Sequence, residues 1–165
     1  MTSKTVVIGI GNPFRNDDGI GPAVAAQIEE RRLPGVRVVM SDGEPAGLLE
    51  AWDGAGLAVV VDAVHRVPAS PGSIHRLTAG QLETGGTAAS SHGFGMPDAL
   101  RLGRALGRLP RRLVIFAVEA ADTGAGTELS PPAVAALPEV VAAVMAELTS
   151  ATTGESSGTG GARLS

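Results

Sequence analysis

The chain has 165 residues, a formal net charge of −4 and no cysteine, and only 2% of its residues are aromatic. This length suits one domain with a hydrophobic core, and the missing cysteines exclude disulfides, zinc–thiolate sites and thiol nucleophiles. The acidic balance argues against a nucleic-acid partner, and without a signal-peptide pattern or an apolar run of about 20 residues we expect a cytoplasmic protein with no membrane partner.

The first part of the chain alternates strand and helix patterns. An apolar run rich in β-branched residues predicts a strand over Lys4–Ile10, and apolar residues at every fourth position predict a helix from 20 to about 32. A second β-branched run predicts a strand over 36–40, and Pro45 begins a shorter helix. Together these elements indicate the opening of an α/β unit.

The middle of the chain continues this alternation. Residues 57–62 are apolar up to a terminal Asp62, which predicts a central strand, and 73–77 predict a further strand. The small, polar stretch 80–91 predicts a mobile loop or a short turn of helix. A helix over Met96–Leu106 and a strong strand over 112–118 follow.

The last part of the chain predicts a helix and then a tail. An acidic loop leads to Ser130, an N-cap residue that two prolines follow in the first turn of a helix. We expect Pro138 to divide this region into two helical pieces, of which the second ends at about Leu148. Residues 1–148 then form one domain, and the Ser-, Thr- and Gly-rich stretch 149–165 forms a disordered tail.

The order of these elements predicts the fold class. Parallel strands need crossover connections, and the helices between successive strands supply them. We therefore predict an α/β fold in three layers, with a twisted, mainly parallel sheet of about five strands and helices on both faces. The strand at 73–77 is the candidate for an antiparallel member of this sheet.

A glycine-rich turn after the first strand resembles a dinucleotide-binding fingerprint only in part. Gly9 and Gly11 have the right spacing, but Phe14 stands where the third glycine is needed. Asp42 could imitate the ribose-binding acid. However, Asp17 and Asp18 precede the helix and would repel phosphates at its N-terminus. A site of this charge favours a cation or a metal.

Carboxylates follow three of the predicted strands. Asp18 comes after the first strand, Asp42 ends the second and Asp62 ends the third, so all three reach the carboxyl edge of the sheet, where α/β folds bind ligands. His92 lies in a loop just before a helix. A metal such as nickel or zinc accepts such oxygen and imidazole ligands together, so these residues predict an open metal site.

Structural roles compete with this hypothesis. An Asp after a strand is also a common cap or turn residue, and that interpretation stays open for each carboxylate. A lone His is more often structural than a ligand, and we interpret His65 near a loop and His75 on an outer strand in that way. His92 differs because Gly93 and Gly95 flank it, which suits a close backbone approach.

Several motifs together resemble the hydrogenase maturation endopeptidases, which process the large subunit of nickel–iron hydrogenases. In chain order they are Gly9-Ile10-Gly11-Asn12, Asp17-Asp18-Gly19-Ile20-Gly21, Asp42-Gly43 with Ala46-Gly47-Leu48, Val61-Asp62-Ala63, Ser91-His92-Gly93-Phe94-Gly95 and Leu129-Ser130-Pro131. The likeness runs in order from about residue 6 to residue 148.

The resemblance implies a twisted α/β sheet flanked by helices and one endoproteolytic cut. That cut removes a C-terminal extension from the nickel–iron hydrogenase large-subunit precursor after nickel has been inserted. The metal-contacting positions of the family fall on Asp18, Asp62 and His92. Nickel is expected to arrive with the precursor, because three ligands without a thiolate would bind it weakly on their own.

The resemblance also implies roles in cleavage and substrate recognition. Asp42 matches an Asp associated with these roles, so Asp42 and Gly43 are the candidate substrate contacts. Asp42, or Asp18 when it does not engage metal, is the candidate general base. The family turn usually continues with Gly and Thr, whereas this chain has Glu44 and Pro45, which indicates a subgroup with a different hydrogenase partner.

We expect the protein to be a monomer. Two other functions stay open at this point. The first is a peptidyl-tRNA hydrolase, because the stretch from Gly9 to Pro13 is also similar to the opening of that family. That family has a histidine–asparagine pair where this chain has Asp17 and Asp18, and a tRNA partner would favour a basic surface. The second is a nickel-binding chaperone that uses the same three ligands without cleaving.

Overall fold

The computed structural model of the chain describes residues 4–84 and 96–158. Its strands are β1 (Lys4–Ile10), β2 (Val36–Ser41), β3 (Ala55–Val64), β4 (Ile74–Thr78) and β5 (Arg112–Glu119). Its helices are α1 (Ile20–Glu30), α2 (Pro45–Trp52), α3 (Ala79–Thr84), α4 (Met96–Leu106) and α5 (Pro131–Gly158), and a 3-10 helix at Asn16–Gly19 precedes α1.

The five strands form one sheet in the order β2-β1-β3-β5-β4. All neighbours are parallel except β4, which pairs antiparallel with β5 at one edge. This confirms the predicted α/β fold with a mainly parallel sheet of five strands. The antiparallel member is the strand that the sequence indicated for that role.

Side chains of β1 alternate between the two faces of the sheet and build two cores. Ile8 packs in a cluster with buried residues of α2 and α4, including Trp52 and Met96. Val7 packs in a second cluster with buried residues of α1 and α5. The helices therefore cover both faces, and the arrangement has the predicted three layers.

Helix α1 begins in backbone contact with the sheet. A Cβ atom on Gly9 would lie 2.3 Å from the carbonyl oxygen of Gly21, and one on Gly21 would lie 2.2 Å from the carbonyl oxygen of Ile10. Only glycine at both positions allows this approach. It brings the loop that precedes α1 close to the ends of the central strands.

Helix α5 continues through Pro138, so the prediction that Pro138 divides it is wrong. Proline removes one main-chain hydrogen bond, but this proline is exposed, while Ala136 before it and Val140 after it are buried in the same core cluster. Packing on the sheet outweighs the local preference. The predicted end near Leu148 is also wrong, because the helix runs to Gly158.

The disorder predicted for 149–165 stays a prediction, and residues 159–165 lie outside the described residues. One segment of α5, Pro131–Ala151, is long and apolar enough to cross a membrane by length and composition alone. A core helix that packs on a sheet passes the same test, and α5 contributes Val140, Val144 and Leu148 to the core.

The edge strand β4 is tied to α5 at the amino end of β5. Glu147, on α5, is buried and accepts a hydrogen bond of 2.5 Å from Nε of Arg76 on β4. Arg112, the first residue of β5, places Nη2 3.5 Å from the other carboxylate oxygen. The two guanidinium groups compensate the cost of burying this charge.

Two element boundaries differ from the predicted ones in ways that concern the site. Strand β3 runs to Val64, because Ala63 and Val64 continue to pair with β5. Asp62 therefore lies within the strand, not at its end. Residues 79–84 form the short helix α3, which was one of the two alternatives for this stretch, and residues 85–95 lie outside the described residues.

Candidate active site

The carboxyl ends of β1 and β3 form the topological switch point of the sheet. From β1 the chain crosses by α1 to β2 on one side, and from β2 it crosses by α2 to β3 on the other side of β1. Because α1 and α2 cover opposite faces, a crevice opens between the two strand ends. Ligands of open α/β sheets bind in this crevice.

Asp62 reaches this crevice from β3. Only 6% of its surface is exposed, and it pairs with Ala117 of β5. Burial raises the pKa of the Asp62 carboxyl well above its ordinary value, and the negative charge of Asp18 raises it further, whereas the N–H of Ala63 acts in the opposite direction. A cation would relieve both unfavourable effects.

Asp18 comes from the 3-10 helix after β1 and is half-buried. Its Oδ2 accepts a hydrogen bond of 2.8 Å from the N–H of Asn12. Gly11 has a φ of +142°, and a Cβ atom there would lie 1.9 Å from the carbonyl oxygen of Asp18. The glycine thus lets the turn close over Asp18, and the charge of Asp18 acts directly on Asp62.

Asp42 follows β2 on the neighbouring loop and is exposed. Its Oδ1 accepts a hydrogen bond of 3.0 Å from the N–H of Glu44, which makes an Asx turn into α2. Gly43 has a φ of +89°, a conformation that glycine adopts easily. The N–H of Gly11 donates to the carbonyl of Ser41 at 3.0 Å, so this loop adjoins the glycine turn of β1.

The three histidines divide between described and undescribed residues. His92 lies outside the described residues, so its predicted role as a ligand stays a prediction. His65 places Nε2 2.9 Å from the Oγ1 of Thr123, and His75 places Nε2 2.6 Å from an oxygen of Glu119. These contacts agree with the structural interpretation of both. Residues 4–84 and 96–158 contain no group of three His, Asp or Glu side chains that could hold a metal by themselves.

Asp17 has a role that the sequence did not distinguish from that of Asp18. It is 1% exposed, and its carboxylate accepts four hydrogen bonds, from the N–H groups of Ala121 (2.8 Å), Asp122 (3.2 Å) and Ser130 (2.7 Å) and from the hydroxyl of Ser130 (2.7 Å). We refer to Asp17, Ala121, Asp122 and Ser130 as the Asp17 cluster.

Hydrogen bonds outweigh burial in the Asp17 cluster. Burial acts to raise the pKa of the Asp17 carboxyl, but the donors from Ser130, Ala121 and Asp122 together hold it below its ordinary value. Asp17 is therefore satisfied by the protein itself. Spacing in the sequence could not show this, because the donors follow it by more than 100 residues.

The loop after β5 also joins the other loops of this edge. The N–H of Asn16 donates to the carbonyl of Gly126 at 2.9 Å, and Nε of Arg15 donates to the carbonyl of Thr123 at 3.1 Å. The hydroxyl of Thr123 also contacts His65, which follows β3. The loops after β1, β3 and β5 therefore form one connected frame around the crevice.

Comparison with known proteins gives a consistent relationship. A family model described as hydrogenase maturation protease matches residues 22–147. The fold is similar to the hydrogenase maturating endopeptidase HybD from E. coli, with a TM-score of 0.76, 21% identity, and 89% of this chain and 93% of that chain covered. A search of curated proteins found no significant sequence match.

Two further solved structures share the fold. The [NiFe] hydrogenase maturation protease HybD from Thermococcus kodakarensis has a TM-score of 0.69 and 22% identity, with 86% of this chain and 97% of that chain covered. An endopeptidase from Escherichia coli, whose structure was solved in solution, has a TM-score of 0.76 and 23% identity, with 88% of this chain and 91% of that chain covered.

Proposed function

Because the chain belongs to the hydrogenase maturation protease family, we propose that it is the endopeptidase that removes the C-terminal extension of a nickel–iron hydrogenase large-subunit precursor. The cut follows nickel insertion, and the enzyme recognises the nickel that the precursor carries. The nickel belongs to the substrate and is not a resident cofactor of this chain.

The pairing of Asp18 with the buried Asp62 is the observation that carries this proposal. A buried carboxylate such as Asp62, with the negative charge of Asp18 acting on it, is unfavourable without a counter-ion. In the described part of the chain no Lys or Arg is recorded in a hydrogen bond or ion pair with either one, and the described partners of Asp18 and Asp62 are main-chain N–H groups. Oxygen donors of this kind suit a borderline divalent metal such as nickel.

The direction of α4 supports His92 as the third ligand. The indole N–H of Trp52, at the end of α2, donates to the carbonyl of Arg108 just after α4 at 2.9 Å. Helix α4 therefore ends near the amino end of the sheet and begins toward its carboxyl end. It packs on the face to which Val60 and Ile10 contribute. Since side chains alternate along a strand, Asp62 belongs to the same face as Val60. His92 precedes α4 by four positions in the sequence.

Each residue of the site then has a defined task. Asp62 and Asp18 bind the metal of the precursor and so fix the position of the scissile peptide, with His92 as their partner. Nickel, when bound, supplies a Lewis acid that polarises the scissile carbonyl or the attacking water. Asp42, exposed at the rim and held by the N–H of Glu44, accepts the proton of that water as general base, and Gly43 borders the bound peptide.

A comparison of apo and nickel-loaded precursor tests the proposal. The purified chain is incubated with each form, with and without a chelator of free metal, and the large subunit is followed by its mobility on a gel. We expect only the nickel-loaded form to be shortened, and the chelator to leave this cleavage unchanged. Equal cleavage of both forms would contradict nickel recognition, and stable binding without cleavage would indicate a chaperone.

A further inference from the structure

We propose that Asp17 is a positioning residue, which holds Asp18 in its working orientation by binding the turn of Asp18 to the loop after β5 and to the start of α5. This inference rests on the proposed function of Asp18. It assigns to Asp17 no contact with substrate or metal, because its carboxylate is directed into the protein and both of its oxygens are used by the Asp17 cluster.

The first step of the argument is the location of the bonds. The Oδ1 atom of Asp17 accepts from the N–H of Ser130, which precedes α5, and Oδ2 accepts from the N–H groups of Ala121 and Asp122, which follow β5. The main-chain N–H of Asp17 also donates to the carbonyl of Asp122 at 2.8 Å. The main chain and the side chain of Asp17 are thus both hydrogen-bonded to the loop after β5.

The second step is the geometry of the 3-10 helix. Asp17 and Asp18 are consecutive residues of the helix Asn16–Gly19. In a 3-10 helix three residues make one turn, so successive side chains diverge by about 120°. When the Asp17 side chain is fixed inward, the direction of the Asp18 side chain is fixed as well. The bond from the N–H of Asn12 to Asp18 then completes its orientation.

The third step is that the turn has other attachments, which keep the fold when Asp17 is changed. Asn16 donates to the carbonyl of Gly126 and contacts Asp122, and Gly126 donates to the carbonyl of Phe14. Loss of the Asp17 bonds therefore releases the orientation of the turn without removing the turn from the protein. An error of about 1 Å in a catalytic group costs up to about 100-fold in rate.

Asp17→Asn is the main test, because it keeps the shape of the side chain but places an NH2 group against N–H donors. We expect kcat for nickel-loaded precursor to fall by about 10-fold to 100-fold and KM to rise as well, since Asp18 contacts the metal that the precursor carries. Ser130→Ala removes one hydroxyl donor and should lower kcat by a smaller factor. It also serves if Asp17→Asn does not fold.

The matched control is Glu147→Gln. Glu147 is also a buried carboxylate on a hydrogen-bonded link to α5, but it binds Arg76 and Arg112 at the opposite end of the sheet. We expect a comparable loss of melting temperature in Glu147→Gln with kcat within about 2-fold of wild type, because its effect remains local. A general loss of stability would instead lower kcat in both variants.

The amide of Asn12 gives a second readout that does not depend on cleavage. The amide proton of Asn12 is hydrogen-bonded to the Asp18 carboxylate, so the NMR chemical shift and exchange rate of this proton report the orientation of that carboxylate. Asp18→Ala supplies the reference for a lost bond. We expect Asp17→Asn to move the Asn12 signal toward that reference, and Glu147→Gln to leave it in place.

The two readouts separate this inference from the proposed function. If wild type fails to cut nickel-loaded precursor while the Asn12 signal moves as expected, the proposed function is wrong and the positioning of Asp18 stands. An unchanged Asn12 signal in Asp17→Asn would overturn the inference, whether or not kcat falls, because Asp17 would then not act through Asp18.

Discussion

Asp17 and Asp62 are both buried carboxylates at the same edge of the sheet, but their surroundings are opposite. Four donors surround Asp17 and hold its pKa below the ordinary value in spite of burial. The pKa of the Asp62 carboxyl is raised well above its ordinary value by burial and by the charge of Asp18. The protein stabilises the ionised form of Asp17 with its own groups, whereas the ionised form of Asp62 remains unfavourable.

This difference separates an acid that the fold satisfies with its own donors from one that it does not. A buried charge that the fold needs is matched by donors from the fold itself. A buried acid whose donors do not offset its burial carries a cost, which persists where function requires it. The following predictions, from the largest expected effect to the smallest, test whether the contrast holds.

Loss of a ligand should have the largest effect. Asp62→Asn and Asp18→Asn are expected to yield no detectable shortening of nickel-loaded precursor, because each removes a charged oxygen from the metal contact. His92→Ala should do the same, while His75→Ala should keep activity, since the Nε2 atom of His75 is already paired with Glu119. Normal processing by Asp62→Asn would remove Asp62 from the site.

Loss of the Asp17 charge should have the largest effect on stability. Asp17→Asn is expected to lower the free energy of unfolding by about 2–4 kcal/mol, because several buried N–H groups lose a charged acceptor. Urea denaturation followed by circular dichroism measures the change. A loss under about 0.5 kcal/mol, the size of an ordinary surface substitution, would show that the Asp17 cluster adds little to the fold.

The same substitution at Asp62 should change stability in the opposite direction. Asp62→Asn is expected to raise the free energy of unfolding by about 1 kcal/mol at neutral pH, because it removes an acid whose ionised form is unfavourable in the folded protein. The two Asp→Asn variants are compared by denaturation in the same buffer. If both are destabilised to the same extent, the contrast between the two acids is not energetic.

Glu119 extends the comparison to a third buried carboxylate and predicts a pH dependence. The hydrogen bond from His75, then the N–H of Ser70, hold the pKa of Glu119 below its ordinary value of 4.5 in spite of burial. The native state therefore binds fewer protons at Glu119 than the unfolded state, so its stabilisation is present above pH 4.5 and is lost as the pH falls through the lowered pKa.

We therefore expect Glu119→Gln to melt at a lower temperature than wild type at pH 5.5, and the difference to shrink below pH 4.5. Glu50→Gln, at an exposed position of α2, is the matched control and should show little difference at either pH. A difference for Glu119→Gln that stays constant down to pH 3 would mean that its carboxyl is not the group that titrates.

Most of the fold could be predicted because its signals are local. Apolar runs such as Lys4–Ile10 and the helix start at Ser130 depend on neighbouring residues alone. The continuity of α5 could not be predicted, because packing of Val140 and Val144 on a distant sheet overrides Pro138. At such positions tertiary packing overrides the low helix propensity of the residue.

The site could be predicted in outline but not in its division of roles. Strand ends that meet at one edge indicate where Asp18, Asp42 and Asp62 lie. The different surroundings of Asp17 and Asp18 could not be predicted, because they depend on donors from the loop after β5. Neither could the burial of Asp62 within β3, since the continued pairing of Val64 sets the end of that strand.

The bond between Asp17 and Ser130 also has a consequence for biosynthesis. It joins positions 113 residues apart, and β1 itself lies between two strands that are made after it. During translation the turn that carries Asp18 has no bonds to the loop after β5 until that loop has been synthesised, and its bonds to Ser130 form last, because contacts so distant in sequence form only when both partners exist. A nascent or truncated chain that ends before the loop after β5 would therefore carry every acidic residue of the site and still lack an assembled one.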